Sequence, residues 1–311
     1  AASSALGTET GGSVRQPASL CSLVGLKATY GRISRSGVVA MTSSLDHLSP
    51  FARTAEDAAL LLEVMGGDDP LDATSVANES IIVPELLSKN IKGLKIGIPK
   101  EYFEKGLDKD VEKTVREAIK FLEGKGAEVH EVSLPHTEYA LAVYYIIMPC
   151  EVSSNLARFD GIRYGLSVES TDLDTIYKQS RGQGFGEEPK RRIMIGTYAL
   201  SSGYYDAYYK KALQVRTLIR RDFDEVFKEV DCVVAPVSPT TAWKIGEKAK
   251  DPLTMYLSDV YTISANLTAL PAMAVPCGFV DGLPVGFQVI GKPFDELTLF
   301  KVGKAYQDEH D

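Results

Sequence analysis

With 311 residues, 44% of them hydrophobic and 24% charged, the chain is long enough for one large core or two modest ones and too apolar to be disordered. Its 34 basic against 42 acidic side chains leave a formal charge of −8, which argues against this chain gripping a nucleic-acid backbone by itself. The four cysteines, Cys21, Cys150, Cys232 and Cys277, stand far apart with no Cys-x-x-Cys spacing. They read as small buried thiols in a reducing compartment, not as a disulfide framework or a metal site.

In chain order the first feature is a turn, Thr8-Glu9-Thr10-Gly11-Gly12-Ser13-Val14-Arg15. Paired glycines let a ligand approach the main chain, and successive amides around Thr10, Gly11, Gly12 and Ser13 can converge on an oxygen that becomes negative during reaction. The Ser13 hydroxyl ends that turn. An alcohol needs a base to become a nucleophile, and the chain has four histidines, at 47, 130, 136 and 310. His310 lies in the tail, His130 in a polar strand-like run, and His136 after a proline, so His47 is the one tempting base. No Gly-x-Ser-x-Gly elbow is present.

Thr54-Ala55-Glu56-Asp57 opens a helix that runs through Leu62 and Met65 and stops at Gly66-Gly67. Residues 67–92 are loop-rich and mark a boundary between sub-regions. A strand at 94–98, a helix through Val111, Val115, Ala118, Ile119 and Leu122, and a second strand at 129–134 suggest a parallel strand–helix–strand unit. Residues 137–158 read as a helix rich in Tyr and Ala, 167–190 as an exposed polar excursion, and 201–230 as a long helix. A buried strand at 231–236, a helix around 254–268, strands at 272–279 and 285–290 and a closing helix at 295–308 complete the chain. No apolar run approaches the roughly 20 residues that span a bilayer.

The string from Gly7 to Pro17, followed by Cys21-Ser22-Leu23-Val24-Gly25-Leu26-Lys27-Ala28-Thr29-Tyr30-Gly31-Arg32, resembles the core of the amidase signature family. Ser43-Ser44-Leu45-Asp46, Arg158-Phe159-Asp160-Gly161, Arg191 to Thr197, Ser202 to Tyr209 and Leu283 to Gln288 extend the resemblance across the chain. These later blocks favour the A subunits of tRNA-dependent amidotransferases within that family. The resemblance implies an α/β amidase signature fold, a mixed central β-sheet covered by helices on both faces. Residues 1–311 would then be one amidase domain lacking its N-terminal part. Ala1 to Leu6 reads like the interior of a domain, and strands missing upstream would leave open sheet edges and exposed apolar surface.

The same resemblance implies hydrolysis of the side-chain amide of glutamine, with Ser13 as nucleophile and Thr10, Gly11 and Gly12 at the oxyanion. The base would be a lysine working through a cis-serine, both upstream of this chain. Partners would be the B and C subunits of a heterotrimeric amidotransferase, with tRNA reached through them. No cofactor is expected in this chain, ATP and magnesium belonging to a partner subunit. The setting would be the cytoplasm or an organellar matrix, with no membrane. Two alternatives stand beside this reading: a stand-alone amidase, and a catalytically incomplete scaffold fragment.

Lys190-Arg191-Arg192 by itself reads as a solvated basic turn, but the resemblance gives Arg192, or its neighbour Arg191, the α-carboxylate of glutamine, which suits a planar guanidinium. It gives Asp259 the substrate ammonium, and Tyr144 or Tyr145 a place in the pocket. This chain departs from the family at His47, where Gln is usual and the histidine reads as structural. It departs also at Glu9 for Asp, Ser22 for Gly and Ala28 for Pro. Glu9 is expected to orient the turn by pairing with Arg15.

Overall fold

The structure is a computed structural model that describes residues 2–77, 90–104, 106–247 and 252–310. It divides into two compact units, one of Ala1–Gly37, His47–Leu141 and Arg216–Asp311, the other of Val38–Asp46 and Ala142–Val215. Residues 67–92 lie inside the sequence limits of the first unit, and those from 78 to 89 lie outside the described residues.

The first unit is built on an eight-stranded mixed sheet. In chain order its strands are β1 (Ala5–Glu9), β2 (Val24–Lys27), β3 (His47–Ala52), β4 (Lys95–Pro99), β5 (Glu128–Val132), β6 (Cys232–Pro236), β7 (Ala272–Val280) and β8 (Leu283–Gly291). They lie in the order β1-β3-β2-β7-β8-β6-β4-β5. The β4–β5 and β4–β6 pairs are parallel and the remainder antiparallel. The parallel β4–β5 pair and its connecting helix are the strand–helix–strand unit expected from the sequence. β1 and β5 are outermost, and Ala5, Leu6 and Thr8 of β1 are exposed, Leu6 to 61%.

Period-two alternation decides what each sheet face buries. Met273 and Val275 of β7, Phe287 and Val289 of β8 and Val234 of β6 join one apolar cluster. Its helical side comes from α2 (Ala55–Met65), α3 (Lys109–Gly124) and α10 (Glu296–Gln307). On the opposite face Ala274 packs with Ala18 of α1 (Arg15–Leu20). A Cβ on Gly25 would stand 2.7 Å from the Ala18 Cβ and 2.8 Å from the Val14 carbonyl, so a side chain there would push α1 off the sheet. Close seating of α1 is what fixes the turn in front of it.

Helical elements differ from the sequence expectation in three places. The helix expected around 254–268 is two short ones, α8 (Pro252–Leu257) and α9 (Ile263–Leu267), with a turn at 258–262. Carbonyls of that turn are taken by side chains: Gln16 Nε2 bonds to Ser258, Gln288 Nε2 to Tyr261 and Arg15 Nη2 to Thr262. These bonds tie the turn to α1 and β8 through Gln16, Arg15 and Gln288. In the stretch 201–230, Ser201 takes an extended conformation, a π-helical turn covers Asp206–Lys210, and α7 begins only at Lys211 and runs to Val226.

The excursion at 167–190 is largely helical. It contains α5 (Leu173–Gly184) and the start of α6 (Glu187–Leu200), both of which lie in the second unit with the later part of α4 (Ala140–Asn155). Few apolar residues mark α5, yet Asp172 caps it by accepting from the Thr175 amide. The stretch Pro135–Arg158 is long and apolar enough by length and composition to cross a membrane, contrary to the run-length expectation, and half of its most apolar window is buried inside the protein. Among the cysteines, Cys150 and Cys232 are buried, whereas Cys277 is half-buried and Cys21 exposed.

Thr54 Oγ1 accepts from the Asp57 amide at 3.0 Å, the cap foreseen for α2. Thr54→Ala is therefore expected to cost about 1 kcal/mol, read as a lower urea midpoint with an unchanged m value.

Candidate active site

β1 ends at Glu9, α1 begins at Arg15, and the five residues between them form the turn that carries Ser13. Ser13 is exposed while Thr10, Gly11, Gly12, Val14 and Arg15 around it are buried. Gly12 has φ +146°, and a Cβ there would meet the Thr262 Oγ1 at 2.2 Å. No L side chain fits that position without moving the turn. The same Thr262 hydroxyl donates to the Gly11 carbonyl at 2.6 Å, and the Gln16 amide donates to the Gly12 carbonyl at 2.8 Å.

Beneath the turn lies a fully buried ion pair between Glu9 and Arg15. One carboxylate oxygen of Glu9 accepts from the Val14 and Arg15 amides, both at 3.0 Å. The other accepts from Arg15 Nε at 2.9 Å and Nη2 at 2.6 Å, and from Asn266 Nδ2 at 3.2 Å. Arg15 also donates to Gln288 Oε1 at 2.6 Å, to the Thr262 carbonyl at 2.8 Å and to Asn266 Oδ1. Burial works to raise the Glu9 carboxyl, but the charge and hydrogen bonds of Arg15, aided by the Lys27 charge, hold it below its ordinary value. Glu9 thus pairs with Arg15 as expected and pins the amide that follows Ser13.

Sequence reasoning found Glu9 and Arg15 but missed Thr262, Asn266 and Gln288. Gln288 had a signal: it is one polar side chain within the otherwise apolar 285–290 run, and a buried amide needs partners. Its Nε2 supplies them by donating to the Pro236 and Tyr261 carbonyls. Lys27 was also missed. It is fully buried, its Nζ donating to the Leu270 carbonyl at 2.6 Å and lying 3.3 Å from His47 Nε2. Burial, reinforced by the Arg15 charge, lowers its amine to about 7.

His47 is therefore engaged from β3, where it stands in register with Glu9. The other histidines have their own settings: His136 Nδ1 lies 2.8 Å from Asp222 Oδ1, His130 lies 3.8 Å from Glu128, and His310 stacks on Tyr306. Ser22 has φ +56°, which accounts for glycine being the easier residue there. Ala28 is buried, with nothing about it that requires the usual proline.

Asp259 lies in the same unit as Ser13, half-buried in the 258–262 turn. The Thr262 hydroxyl, whose one proton goes to the Gly11 carbonyl at 2.6 Å, also lies 3.0 Å from the Asp259 carbonyl, so this side chain stands between the Asp259 backbone and the Ser13 turn. Tyr144 and Arg192 belong to the second unit. Tyr144 is buried on α4, edge-on to Tyr145 at 5.0 Å. Arg192 on α6 donates to Glu188 Oε1 at 2.9 Å and reaches Met148, one turn along α4 from Tyr144. Arg191 is the more exposed of the two arginines and pairs with the other Glu188 oxygen. The basic pair is thus inside a helix, with Arg192 facing α4 and not wholly solvated.

Removing the Glu9 charge would leave Arg15 buried without its counter-ion. Glu9→Gln is expected to cost about 3–5 kcal/mol in urea unfolding at neutral pH. Because the folded-state value of Glu9 lies below the ordinary 4.5, its contribution is complete above that pH and is lost as the pH falls through the lowered value. The variant should lack that acid-side loss, which unfolding measured across acid pH will read.

Comparison with known proteins bears on the whole turn and its supports. The Amidase family profile matches residues 1–300. The glutamyl-tRNA(Gln) amidotransferase A subunit from Thermodesulfovibrio yellowstonii is 59% identical over 97% of this chain and 63% of its own length. Its counterpart from Geobacillus thermodenitrificans is 56% identical over 98% of this chain and 63% of its own length. The crystal structure of the glutamyl-tRNA(Gln) amidotransferase A subunit from Thermotoga maritima superposes with a TM-score of 0.81 at 45% identity, covering 97% of this chain and 61% of that one. The chain therefore spans somewhat under two thirds of these relatives, and its mixed sheet flanked by helices is the corresponding part of the amidase signature fold. A sequence profile and a superposed structure agree over nearly every residue, and the chain belongs to the amidase family.

Proposed function

We propose that the chain forms the Ser13-bearing part of a glutaminase that serves a tRNA-dependent amidotransferase. One observation carries the reading: Ser13 is exposed at the tip of a turn whose every flanking residue is buried and locked from behind. A fixed backbone with one accessible hydroxyl is what preorganised acyl transfer requires. The names borne by the relatives support Glu-tRNA(Gln) as the acceptor; glutamine as the amide donor, and Asp-tRNA(Asn) as the other candidate acceptor, are what the family resemblance implies.

In this reading the Ser13 Oγ attacks the carbonyl carbon of the glutamine side chain. Its proton passes to a base outside these 311 residues, a lysine working through a cis-serine. The amides around Thr10, Gly11, Gly12 and Ser13 receive the oxyanion. The C–N bond breaks, protonated nitrogen leaves as ammonia, and water attacks the acyl-enzyme to release glutamate and restore Ser13. Arg192 takes the α-carboxylate, Asp259 the ammonium, and Tyr144 a wall of the pocket. Ammonia passes to partner B and C subunits, where ATP and magnesium activate the acceptor carboxylate and where tRNA is held. The assembly works in the cytoplasm or an organellar matrix.

In the full-length protein with its partner subunits, Ser13→Ala should reduce glutamine hydrolysis by more than about 10³-fold. Retained activity would refute the nucleophile. Gly12→Ala, which displaces the turn, should cost about 10²-fold in kcat with little change in KM. Arg192→Ala should lower kcat/KM for glutamine by roughly 10- to 100-fold while leaving simple aliphatic amides unaffected. Equal activity on both kinds of amide, with indifference to Arg192→Ala, would identify a stand-alone amidase instead.

A further inference from the structure

We propose that Thr262 is a positioning residue for acyl transfer at Ser13: its hydroxyl holds the Gly11 carbonyl and thereby aims the Gly12 amide at the oxyanion. The role rests on the reading of Ser13 as nucleophile, whereas the hold on the peptide does not. Thr262 is fully buried immediately before α9, and its backbone is tied at both ends. Its amide donates to the Asp259 carbonyl at 3.0 Å, and its carbonyl accepts from Arg15 Nη2 at 2.8 Å.

The hydroxyl has one proton and two carbonyls within reach, Gly11 at 2.6 Å and Asp259 at 3.0 Å. The Asp259 carbonyl already accepts from the amides of Thr262 and Ile263, at 3.0 and 3.2 Å. The Gly11 carbonyl has no other donor among the described residues. The shorter contact and the unmet acceptor therefore both assign the proton to Gly11.

A trans peptide is planar, with its C=O and N–H pointing in opposite directions. Holding the Gly11 carbonyl towards Thr262 therefore turns the Gly12 N–H away from it. The next peptide is held in the same manner. Its Gly12 carbonyl accepts from the Gln16 amide at 2.8 Å, which turns the Ser13 N–H away from α1. Beyond Ser13 the hold changes ends, because Glu9 grips the Val14 and Arg15 amides. Two peptides before the serine are thus fixed by their carbonyls and two after it by their amides. The Gly12 and Ser13 amides have no protein acceptor among the described residues, and a pair of fixed donors is what a developing oxyanion needs.

Shape alone does not replace the hydroxyl. Two oxygens meet at 2.6 Å only with a proton between them, whereas a methyl carbon needs about 3.3 Å from a carbonyl oxygen. Thr262→Val would therefore push the Gly11 carbonyl away and rotate its peptide. Gly12 packs against the same side chain, since a Cβ on it would fall 2.2 Å from Thr262 Oγ1. Arg15 holds the Thr262 carbonyl and Glu9 holds Arg15, so both sides of the serine are set by one ion pair.

The test uses the full-length protein with its partner subunits. Thr262→Val should lower kcat for glutamine by roughly 10- to 100-fold and leave KM within about threefold. Thr262→Ser, which keeps the donor, should restore kcat to within about threefold of the unaltered protein. An unchanged kcat in Thr262→Val, a loss confined to KM, or a Thr262→Ser variant no better than Thr262→Val would overturn the role. Should Thr262→Val fail to fold, Thr262→Ala removes the donor without adding a methyl at the contact and is read in the same way. A crystal structure of the folded variant reads the geometry without catalysis: the Gly11 carbonyl should be turned from its direction here, and an unmoved peptide would overturn the hold. Ser13→Ala, assayed in parallel, separates the two readings. Its retained activity would refute the nucleophile and leave the peptide geometry standing, and its inactivity beside an unimpaired Thr262→Val would refute Thr262 alone.

Discussion

The Glu9–Arg15 ion pair is the constraint on which the rest of the site depends. Both side chains are wholly out of water, and removing two charges from solvent is costly unless every donor and lone pair is met. Here the guanidinium reaches Glu9, Gln288, Asn266 and the Thr262 carbonyl, and the carboxylate adds two backbone amides. A pair satisfied this completely permits one arrangement of its neighbours. It ties β1, α1, β8 and the 258–266 segment to a common point, and the turn bearing Ser13 takes its shape from that point.

The sheet makes this possible by sorting its residues by parity. Along β8 the odd-numbered Val285, Phe287 and Val289 enter the large apolar cluster, which leaves Gln288 on the face where Arg15 lies. Along β7 the same alternation sends Met273 and Val275 one way and Ala274 the other, towards α1. An apolar core on one side and a polar lock on the other come from a single period-two pattern.

Much of this was legible in the residues. The turn from Glu9 to Arg15, the Thr54 cap and the parallel strands flanking α3 follow from local rules: permissive glycines, a capping hydroxyl, helical and strand periodicity. Illegible features were those decided by distant partners. The turn at 258–262 is held by side chains of Gln16, Arg15 and Gln288, distant partners that no local signal in that segment announces. α5 escaped notice because a weakly apolar, exposed helix lacks the stripe that periodicity detects. The burial of Lys27 was hidden for a similar reason: a lysine at a strand end reads as a solvated tip until Leu270 and His47 are seen to enclose it.

The lock also has a temporal consequence. Glu9 and Arg15 find their remaining partners at Thr262, Asn266 and Gln288, which are 247 to 273 residues away from Arg15 or 257 from Glu9. Contacts this remote form only after long loops have closed. Until β8 pairs with β7, Arg15 has no Gln288 to bind and the turn has no fixed form. The serine's turn thus acquires its geometry only once these distant contacts have formed, so a partly folded chain carries the motif without the shape that gives it meaning.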